Sequence, residues 1–273
     1  MLMISLRQFL RFDFSSLSPR WLIVVGLSWG LVLAGQGHLP AAEIGQSNVT
    51  TNKVKALLQQ FDTIANQHQL DQLDQIYSAE FSNSDGLTLP QVEIGLQRLW
   101  QLYPDLSYAT ELQSWQQDGE AVIVETVTKI EGNRPWLGKT ATLVGEVTAR
   151  QTFINQKLVR QEVLTEKMTL TTGKNPPKVN VRLPKTVRPG QEYDFDVILE
   201  TPLGDDLLAG SAFAQTIDPT SYQFDPTQVN LELLQAGGLF KRAVAGDDPQ
   251  WLSALLISPE GMVLVTQRLA IAR

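Results

Sequence analysis

The chain has 273 residues, of which 43% are hydrophobic and 19% charged, so it has material for about two ordinary globular domains. It contains no cysteine and only two histidines. This excludes disulfides and thiolate metal sites, and it leaves almost no material for a histidine metal site or a serine-histidine-aspartate triad. The formal net charge of -7 predicts a surface that repels phosphate backbones, so no nucleic-acid partner is expected.

The first 42 residues have the order of a secretory signal. Arg7, Arg11 and Arg20 precede an apolar run over residues 21–35, and small residues follow up to Ala42. The run is shorter than the roughly 20 residues that span a bilayer, which favours cleavage near Ala42. An uncleaved membrane anchor over the same run is the alternative. We therefore expect the rest of the chain to lie in the periplasm, or in the thylakoid lumen if the host has one.

Three helices are predicted after the signal. Apolar residues at helical spacing over 54–65 predict the first helix, and a sparser pattern over 70–81 predicts a second, shorter one. The third is expected to begin at Thr88 as N-cap, because Pro90 suits a first helical turn and Gln91 can close a capping box.

Beyond Pro104 the apolar period changes from 3.6 to 2, which predicts strands. Asp118-Gly119 and Asn155-Gln156 are predicted hairpin turns, and Gly-Asn-Arg-Pro at 132–135 is expected to break a strand. The four predicted strands cover residues 108–115, 121–130, 139–154 and 157–170. Helices followed by an antiparallel meander indicate an α+β domain whose helices cover one face of a sheet.

The order of these elements resembles the NTF2-like superfamily, and its SnoaL-like members in particular. The likeness extends from about Val54 to Thr172. It rests on four stretches, which are Ala79-Glu80-Phe81, Leu102-Tyr103-Pro104-Asp105-Leu106, Asp118-Gly119 and Leu158-Val159-Arg160-Gln161-Glu162. The resemblance implies that residues 50–172 form a cone of three helices on a curved antiparallel sheet. It further implies that the cone encloses an apolar pocket and dimerises through the outer sheet face.

The resemblance also implies a pocket carboxylate as general base if the domain is an enzyme. Candidates on the predicted strands are Glu125, Glu162 and Glu166. Glu162 and Glu166 are expected on one face of the last strand, and the pattern leaves open whether that face points into the pocket or into solvent. Arg160 and Lys167 stand beside them and favour an ion-paired surface position. Glu125 has only threonine and valine around it.

Aromatic side chains are the predicted lining of the pocket. The candidates are Trp100, Tyr103, Trp115 and Trp136, which would suit a flat apolar ligand. Aromatic residues at helical or strand spacing are more often part of the core, so the core is the competing interpretation. Trp136 stands apart from the others, because it follows Arg134-Pro135 in a predicted loop at the pocket rim.

The remaining candidate polar groups do not predict a metal or a cofactor. His68 follows the first predicted helix, where a cation suits the helix dipole, so capping is favoured over catalysis. The aspartate pairs at 205–206 and 247–248 lack the alternating oxygen ligands of a calcium loop. The sequence therefore predicts no metal site and no cofactor.

A second domain is predicted after a short linker. Residues 173–178 contain paired prolines and are expected to form a stiff spacer, and residues 179–273 have the short alternating stretches of an all-β sandwich. The segment from Val187 to Phe195 resembles the early strands of exported immunoglobulin-like domains, although the cysteine pair of antibody domains is absent. That likeness implies a module that presents a surface to a partner or acts as a spacer.

Three functions are compatible with this pattern. The first is an exported, non-enzymatic binding or assembly protein that holds an apolar small molecule or dimerises, and contacts a protein partner through the sandwich. The second is a pocket isomerase, dehydratase or cyclase with a strand glutamate as base. The third is an anchored scaffold whose cone is filled by side chains. Fold alone does not choose among them.

Overall fold

The computed structural model describes residues 44–201, 207–222, 229–234 and 237–272, with side chains from residue 51 onward. The predicted signal or anchor at 1–42 and the aspartate pair at 205–206 therefore lie outside the described residues. Among the described residues no helix is long and apolar enough to cross a bilayer.

Three α-helices and thirteen strands are described. The helices are α1 (Ile44–Asn66), α2 (Leu73–Ile76) and α3 (Leu89–Leu102), and a 3₁₀ turn covers Leu70–Gln72. The strands of the first part are β1 (Tyr77–Asn83), β2 (Ser107–Asp118), β3 (Ala121–Trp136), β4 (Lys139–Ile154) and β5 (Lys157–Gly173). Those that follow are β6 (Val179–Arg182), β7 (Thr186–Val187), β8 (Glu192–Leu199), β9 (Leu208–Thr216), β10 (Glu232–Leu234), β11 (Gly238–Val244), β12 (Gln250–Ser258) and β13 (Gly261–Ile271).

The first and third predicted helices are present, and the second is helical only over its first part, in α2. Thr88 caps α3 in a capping box, in which its backbone N–H donates to Oε1 of Gln91 at 2.9 Å. Where one helix was expected over 70–81, the chain forms a 3₁₀ turn, the single-turn helix α2 and then β1. Tyr77 and Phe81 are buried from that strand, which pairs in parallel with β5. Sheet pairing therefore outweighs the helical spacing of the apolar residues.

Both predicted hairpin turns are confirmed, and the predicted strand break is wrong. Gly119, Asn155 and Gln156 have φ of 58°, 52° and 64°, the left-handed values that two-residue hairpin loops require. β3 continues through residues 132–135 to Trp136. It does so because β4 pairs with it residue by residue along this length, and the register outweighs the local strand breakers.

One ten-stranded sheet passes through both parts of the chain. Its order is β10-β9-β12-β13-β5-β4-β3-β2, with β1 beside β5 and β7 beside β13. β5 is the shared strand, because its first part pairs with β1 near residues 158–161 and its last part with β13 over 167–173. The predicted fold class, a three-helix cone plus a separate sandwich, is therefore wrong. The described chain is mostly β, and a large, mainly antiparallel sheet continues from the helical half (44–173) into the C-terminal half (174–272).

A smaller sheet with the order β11-β8-β6 packs on one face of the large sheet. Phe195 and Val197 of the small sheet share a core with Val265 of β13. Trp251 and Leu264, which are also in the large sheet, belong instead to the core beneath the helices. Helices thus cover one face of the large sheet, and the small sheet covers the other face in the C-terminal half.

The predicted linker at 173–178 lies against the turn between β12 and β13. The backbone N–H groups of Lys174 and Asn175 donate to the carbonyl oxygen of Glu260 at 2.9 and 3.3 Å. A Cβ atom on Gly173, whose φ is 109°, would lie 2.4 Å from the same oxygen. The segment therefore makes specific contacts along its first residues. Independent folding of the two halves stays a prediction.

Helix α1 covers the edge of the sheet at β2. Asp62 accepts hydrogen bonds from the backbone N–H and the hydroxyl of Thr110, at 2.8 and 2.6 Å. One turn later, Asn66 bonds both the N–H and the C=O of Tyr108, at 2.6 and 2.9 Å. These side chains occupy backbone groups that an uncovered edge strand would offer to another chain. They also fix the position of α1 over the sheet.

Candidate functional site

Two of the three candidate general bases lie on the outer face of the sheet. Arg150 of β4 donates to Glu125 at 2.8 Å and to Glu162 at 3.2 Å, so one guanidinium joins carboxylates from β3 and β5. All three side chains are exposed by more than a third. The hydrogen bonds to both carboxylates, together with their charges, outweigh partial desolvation and raise the pKa of Arg150. Glu125 and Glu162 therefore form a solvated ion-pair row across three strands.

The third candidate, Glu166, lies on the opposite face of the same strand from Glu162. The expectation that the two share a face is wrong, because the pairing of β4 with β5 shifts between Thr148 and Ala149. Thr148 pairs with Thr165 and Ala149 with Val163, which leaves one extra residue in β5. Such a β-bulge re-aims the side chains that follow it. Glu166 is consequently 1% exposed and points beneath the helices.

Glu166 belongs to a buried polar network that joins the two halves, hereafter the joint network. Its other members are Asp85 after β1, Tyr222 after β9, Trp251 of β12 and Arg268 of β13. Arg268 donates to both oxygens of Asp85 at 3.0 and 2.6 Å, and Tyr222 donates to Asp85 at 2.5 Å. The indole N–H of Trp251 donates to Glu166 at 2.7 Å. Nε of Arg268 lies 3.6 Å from Glu166.

The joint network occupies a gap in the sheet. Along β5, pairing with β1 ends at Gln161 and pairing with β13 begins at Lys167, so Glu166 lies between the two partners. The loop that carries Asp85 also reaches the C-terminal half directly, because a Cβ atom on Gly86 would lie 3.0 Å from Pro219. Polar side chains thus replace backbone pairing at the point where the halves meet.

Burial and charge act against each other inside the joint network. Burial by itself lowers the pKa of Arg268, but the hydrogen bonds and charge of Asp85 and the charge of Glu166 outweigh it and raise that pKa. Burial, followed by the charges of Asp85 and Glu166, raises the pKa of Tyr222 well above its usual value. Arg268 therefore stays a cation and Tyr222 a neutral hydrogen-bond donor.

Two of the four predicted pocket aromatics are fully part of the core. Trp100 is 6% exposed, stacks on the ring of His68 at 4.8 Å and donates to the hydroxyl of Tyr108 at 3.1 Å. Tyr103 is 0% exposed, and its hydroxyl makes no hydrogen bond to any described residue. Burial, partly offset by the charge of Arg134, raises the pKa of Tyr103 to about 12. Their role in ligand binding stays a prediction.

The other two aromatics are half-buried at the ends of the sheet. Trp115 donates to the hydroxyl of Thr51 at 2.9 Å, beneath the first part of α1. Trp136 is the last residue of β3 rather than part of a loop. The guanidinium of Arg134 lies 5.7 Å from its ring and 5.3 Å from that of Tyr103, which is within the range of cation–π attraction.

Three buried polar side chains beneath the helices each have an atom that lacks a hydrogen-bond partner among the described residues. The atoms are Oγ1 of Thr126, Oε1 of Gln151 and Nε2 of Gln161. Gln151 lies opposite Gln161, and Thr126 lies opposite Ala149, so the three surround a small side chain on adjacent strands. Each unpaired buried polar group costs about 1–3 kcal/mol. In the sequence, the alternation of inward-facing residues around Ala149 indicates these three positions, none of which is a carboxylate.

The aromatic packing above these residues is dense. Phe61 lies 5.7 Å from Tyr77 and 5.5 Å from Phe153, and Tyr77 lies 4.7 Å from Phe81, measured between ring centroids. All four rings are at most 4% exposed. A hollow of about 640 Å³ between α1 and the turn after β4 reaches Phe153 from outside.

A hollow lies at the junction of the halves. It measures about 740 Å³, and a neighbouring hollow of about 560 Å³ shares Lys174 with it. We call the two together the junction groove. Its floor is the outer face of β5 and β13, and its wall is formed by residues 174–181. The charged residues that line it are Lys139, Lys167, Lys174, Lys178, Glu200 and Glu260.

Comparison with known proteins gives one family model and several distant solved structures. A family model described as "Domain of unknown function (DUF8623)" matches residues 174–272, and no curated protein matches the chain. One similar solved structure is a loop truncation variant of IdmH, with 12% identity and a TM-score of 0.29, over 40% of this chain and 89% of that one. Another is a putative polyketide cyclase from Acidithiobacillus ferrooxidans, with 17% identity and a TM-score of 0.30, over 41% and 86%. Likenesses at this level assign no function.

Proposed function

We propose that this chain is an exported, non-enzymatic binding or assembly protein that contacts a protein partner through its surface. The observation that carries the proposal is how the three candidate general bases are surrounded and paired. Glu125 and Glu162 are exposed and shared by Arg150, and Glu166 accepts the indole N–H of Trp251 in a buried network. A general base must be free to reach a substrate proton within an enclosed site. None of these three carboxylates is placed for that task.

The joint network supports a role in assembly. A protein that presents a binding surface made from two parts needs those parts held in a constant arrangement, because rigid contacts lower the entropy lost on binding. Asp85 from the helical half and Arg268 from the C-terminal half make a bidentate ion pair, which is a directional contact. The junction groove lies between the same halves and would keep its shape for this reason.

Export is supported by the sequence of residues 1–42. The mature chain is expected to begin near Ala42, and N-terminal mass spectrometry of fractionated cells checks this. Intact Met1 on membrane-bound protein would favour the anchor. Intact Met1 on soluble cytosolic protein would contradict export.

The non-enzymatic assignment is tested by Glu125→Gln. Glu162→Gln is the matched control, because both glutamates pair with Arg150. We expect both variant genes to complement a deletion strain as well as the wild-type gene does. The reason is that the outer-face carboxylates only pair with Arg150. Loss of complementation in Glu125→Gln, with unchanged thermal stability and an unaffected Glu162→Gln, would overturn the proposal in favour of a pocket enzyme.

A small-molecule site beneath the helices is the second candidate function. It is favoured by the unpaired atoms of Thr126, Gln151 and Gln161, which a ligand with hydrogen-bonding groups would satisfy. Gln151→Leu separates the alternatives. If these residues are only core, the variant is more stable and keeps its function, since an unpaired polar group is removed. If they bind a ligand, the variant is more stable but loses its function.

A further inference from the structure

We propose that the junction groove binds an extended acidic segment of a partner protein. This inference rests on the proposed function and names the chemistry of the partner. Three features of the groove carry it, namely its charge, the open edge of β6 and the composition of its floor.

The charge of the groove is opposite to that of the chain as a whole. Four of the ten lysines in the sequence line it, together with two glutamates, which gives a formal charge of +2. The chain as a whole carries -7, so the remainder carries -9. Glu260 already accepts a hydrogen bond from the side-chain amide of Asn175 at 2.8 Å. A concave positive region on an acidic protein attracts anionic groups and raises the rate at which they arrive.

The wall of the groove includes a strand edge. β6 pairs with β8 on one side, and no other described strand pairs with it on the other side. Val179, Asn180 and Val181 of β6 all line the groove. The open edge of a strand offers N–H and C=O groups at the spacing of a second peptide backbone. Pro176 and Pro177 precede β6 and lack N–H donors, which limits such pairing to about four residues.

The floor of the groove favours a peptide over a sugar polymer. Thr169 and Thr171 supply hydroxyl groups, and the half-buried Val179 and Val181 of the wall supply small apolar surfaces. Val263 and Val265 beneath them are buried. Among the described residues that line the groove there is no aromatic side chain on which a sugar ring would stack. An extended chain that alternates acidic side chains with small apolar or hydroxyl side chains therefore matches the lysines, the valines and the strand edge together.

The test is fluorescence anisotropy with the full mature chain and a labelled peptide of alternating glutamate and threonine. The variants are the double charge reversal Lys167→Glu with Lys178→Glu, and a matched control, Lys55→Glu with Lys241→Glu, at exposed lysines outside the groove. We expect the Kd to rise at least about tenfold in the groove variant and to change less than about twofold in the control, with salt weakening the binding. Thermal melts check that both variants fold.

Two further probes test the assignment to an extended peptide. A version of the peptide with N-methyl groups at alternate residues keeps its charge but cannot pair as a strand, so we expect it to bind at least about tenfold more weakly. Polygalacturonate, a carboxylate polymer without peptide groups, is expected to compete poorly. Equal binding of the N-methylated peptide, or competition by polygalacturonate at equal carboxylate concentration, would overturn the peptide assignment.

The outcomes separate this inference from the proposed function. If the peptide binds equally to the groove variant and the wild type, the groove is not its site, although the chain remains a binding protein. If the peptide does not bind at all, the inference is wrong and the phenotype of Glu125→Gln still decides the proposed function. A loss of phenotype in Glu125→Gln would overturn the proposed function whatever the peptide does.

Discussion

Two arginine–carboxylate clusters in this protein have similar geometry and opposite surroundings. Arg268 and Asp85 in the joint network approach to 2.6 Å with side chains 4% and 1% exposed. Arg150 and Glu125 on the outer face approach to 2.8 Å with side chains 47% and 37% exposed. Water screens the second pair and can solvate either partner alone, whereas the first pair has no such alternative. Distance alone therefore says little about what an ion pair contributes to stability.

The largest effect is expected for Arg268→Met. The change leaves Asp85 and Glu166 buried without their shared cation, and breaking a buried pair typically costs about 3–5 kcal/mol. Urea unfolding of the full chain measures the loss. Arg242→Met is the control. Its pair with Asp194 is about half exposed, so we expect the variant to change the unfolding free energy far less than Arg268→Met does.

Adding Asp85→Leu to Arg268→Met sharpens the comparison. Replacing both partners of a buried pair by apolar residues is often tolerated, so the double variant should regain part of the lost stability. A loss from Arg268→Met no larger than that from Arg242→Met would show that burial does not distinguish the two clusters.

A smaller effect is expected for Tyr222→Phe. The variant loses one hydrogen bond to a buried carboxylate but keeps the ring, which packs against Trp251 at 4.9 Å between centroids. Hydrogen bonds to charged groups contribute about 1.5–3 kcal/mol. Chemical denaturation at pH 7 measures the change. A neutral effect would mean that Asp85 does not depend on the tyrosine hydroxyl.

Tyr103→Phe should differ from Tyr222→Phe in both sign and pH dependence. The hydroxyl of Tyr103 has no described partner, so its removal is expected to leave stability at pH 7 equal or slightly higher. Burial raises the pKa of Tyr103 to about 12 in the folded chain, against about 10 when unfolded. Above pH 10 the unfolded state therefore loses this proton first, and wild-type stability falls.

The stability that comes from the raised pKa of Tyr103 is fully present below pH 10, and it is lost as the pH rises toward 12. The difference in unfolding free energy between wild type and Tyr103→Phe should then change by about 1.4 kcal/mol per pH unit in this window, in favour of the variant. Urea unfolding at intervals from pH 8 to 12 measures it. A constant difference across the window would contradict the raised pKa.

The smallest effect is expected for Arg150→Gln on the outer face. The variant removes both exposed ion pairs, and such pairs contribute about 0–1 kcal/mol. The loss should shrink further in 1 M salt, because screening weakens exposed pairs. Thermal melts at low and high salt measure it. A loss of several kcal/mol that salt does not change would contradict the prediction, because the exposed cluster would then contribute as much to stability as the buried one.

Much of the helical half could be predicted from the sequence. The capping residues at Thr88 and Gln91 place the start of α3, and the left-handed turns at Gly119 and Asn155 place two hairpins. These features depend on a few neighbouring residues, whose conformational preferences act over one or two turns of chain. The period of two also predicted most strands of both halves, since alternation needs only one buried face.

The candidate site could not be predicted in the same way. A single β-bulge in β5 turns Glu166 inward while Glu162 faces solvent. The local sequence pattern does not predict this bulge. β1 is a strand only because β5 lies beside it. The joint network brings Asp85 within hydrogen-bonding distance of Arg268, although 183 positions separate them in the chain. Local propensity and periodicity act over a few residues, whereas strand register and the burial of a charge depend on partners far along the chain. Only the tertiary structure could therefore decide which carboxylates are solvated and which hold the two halves together.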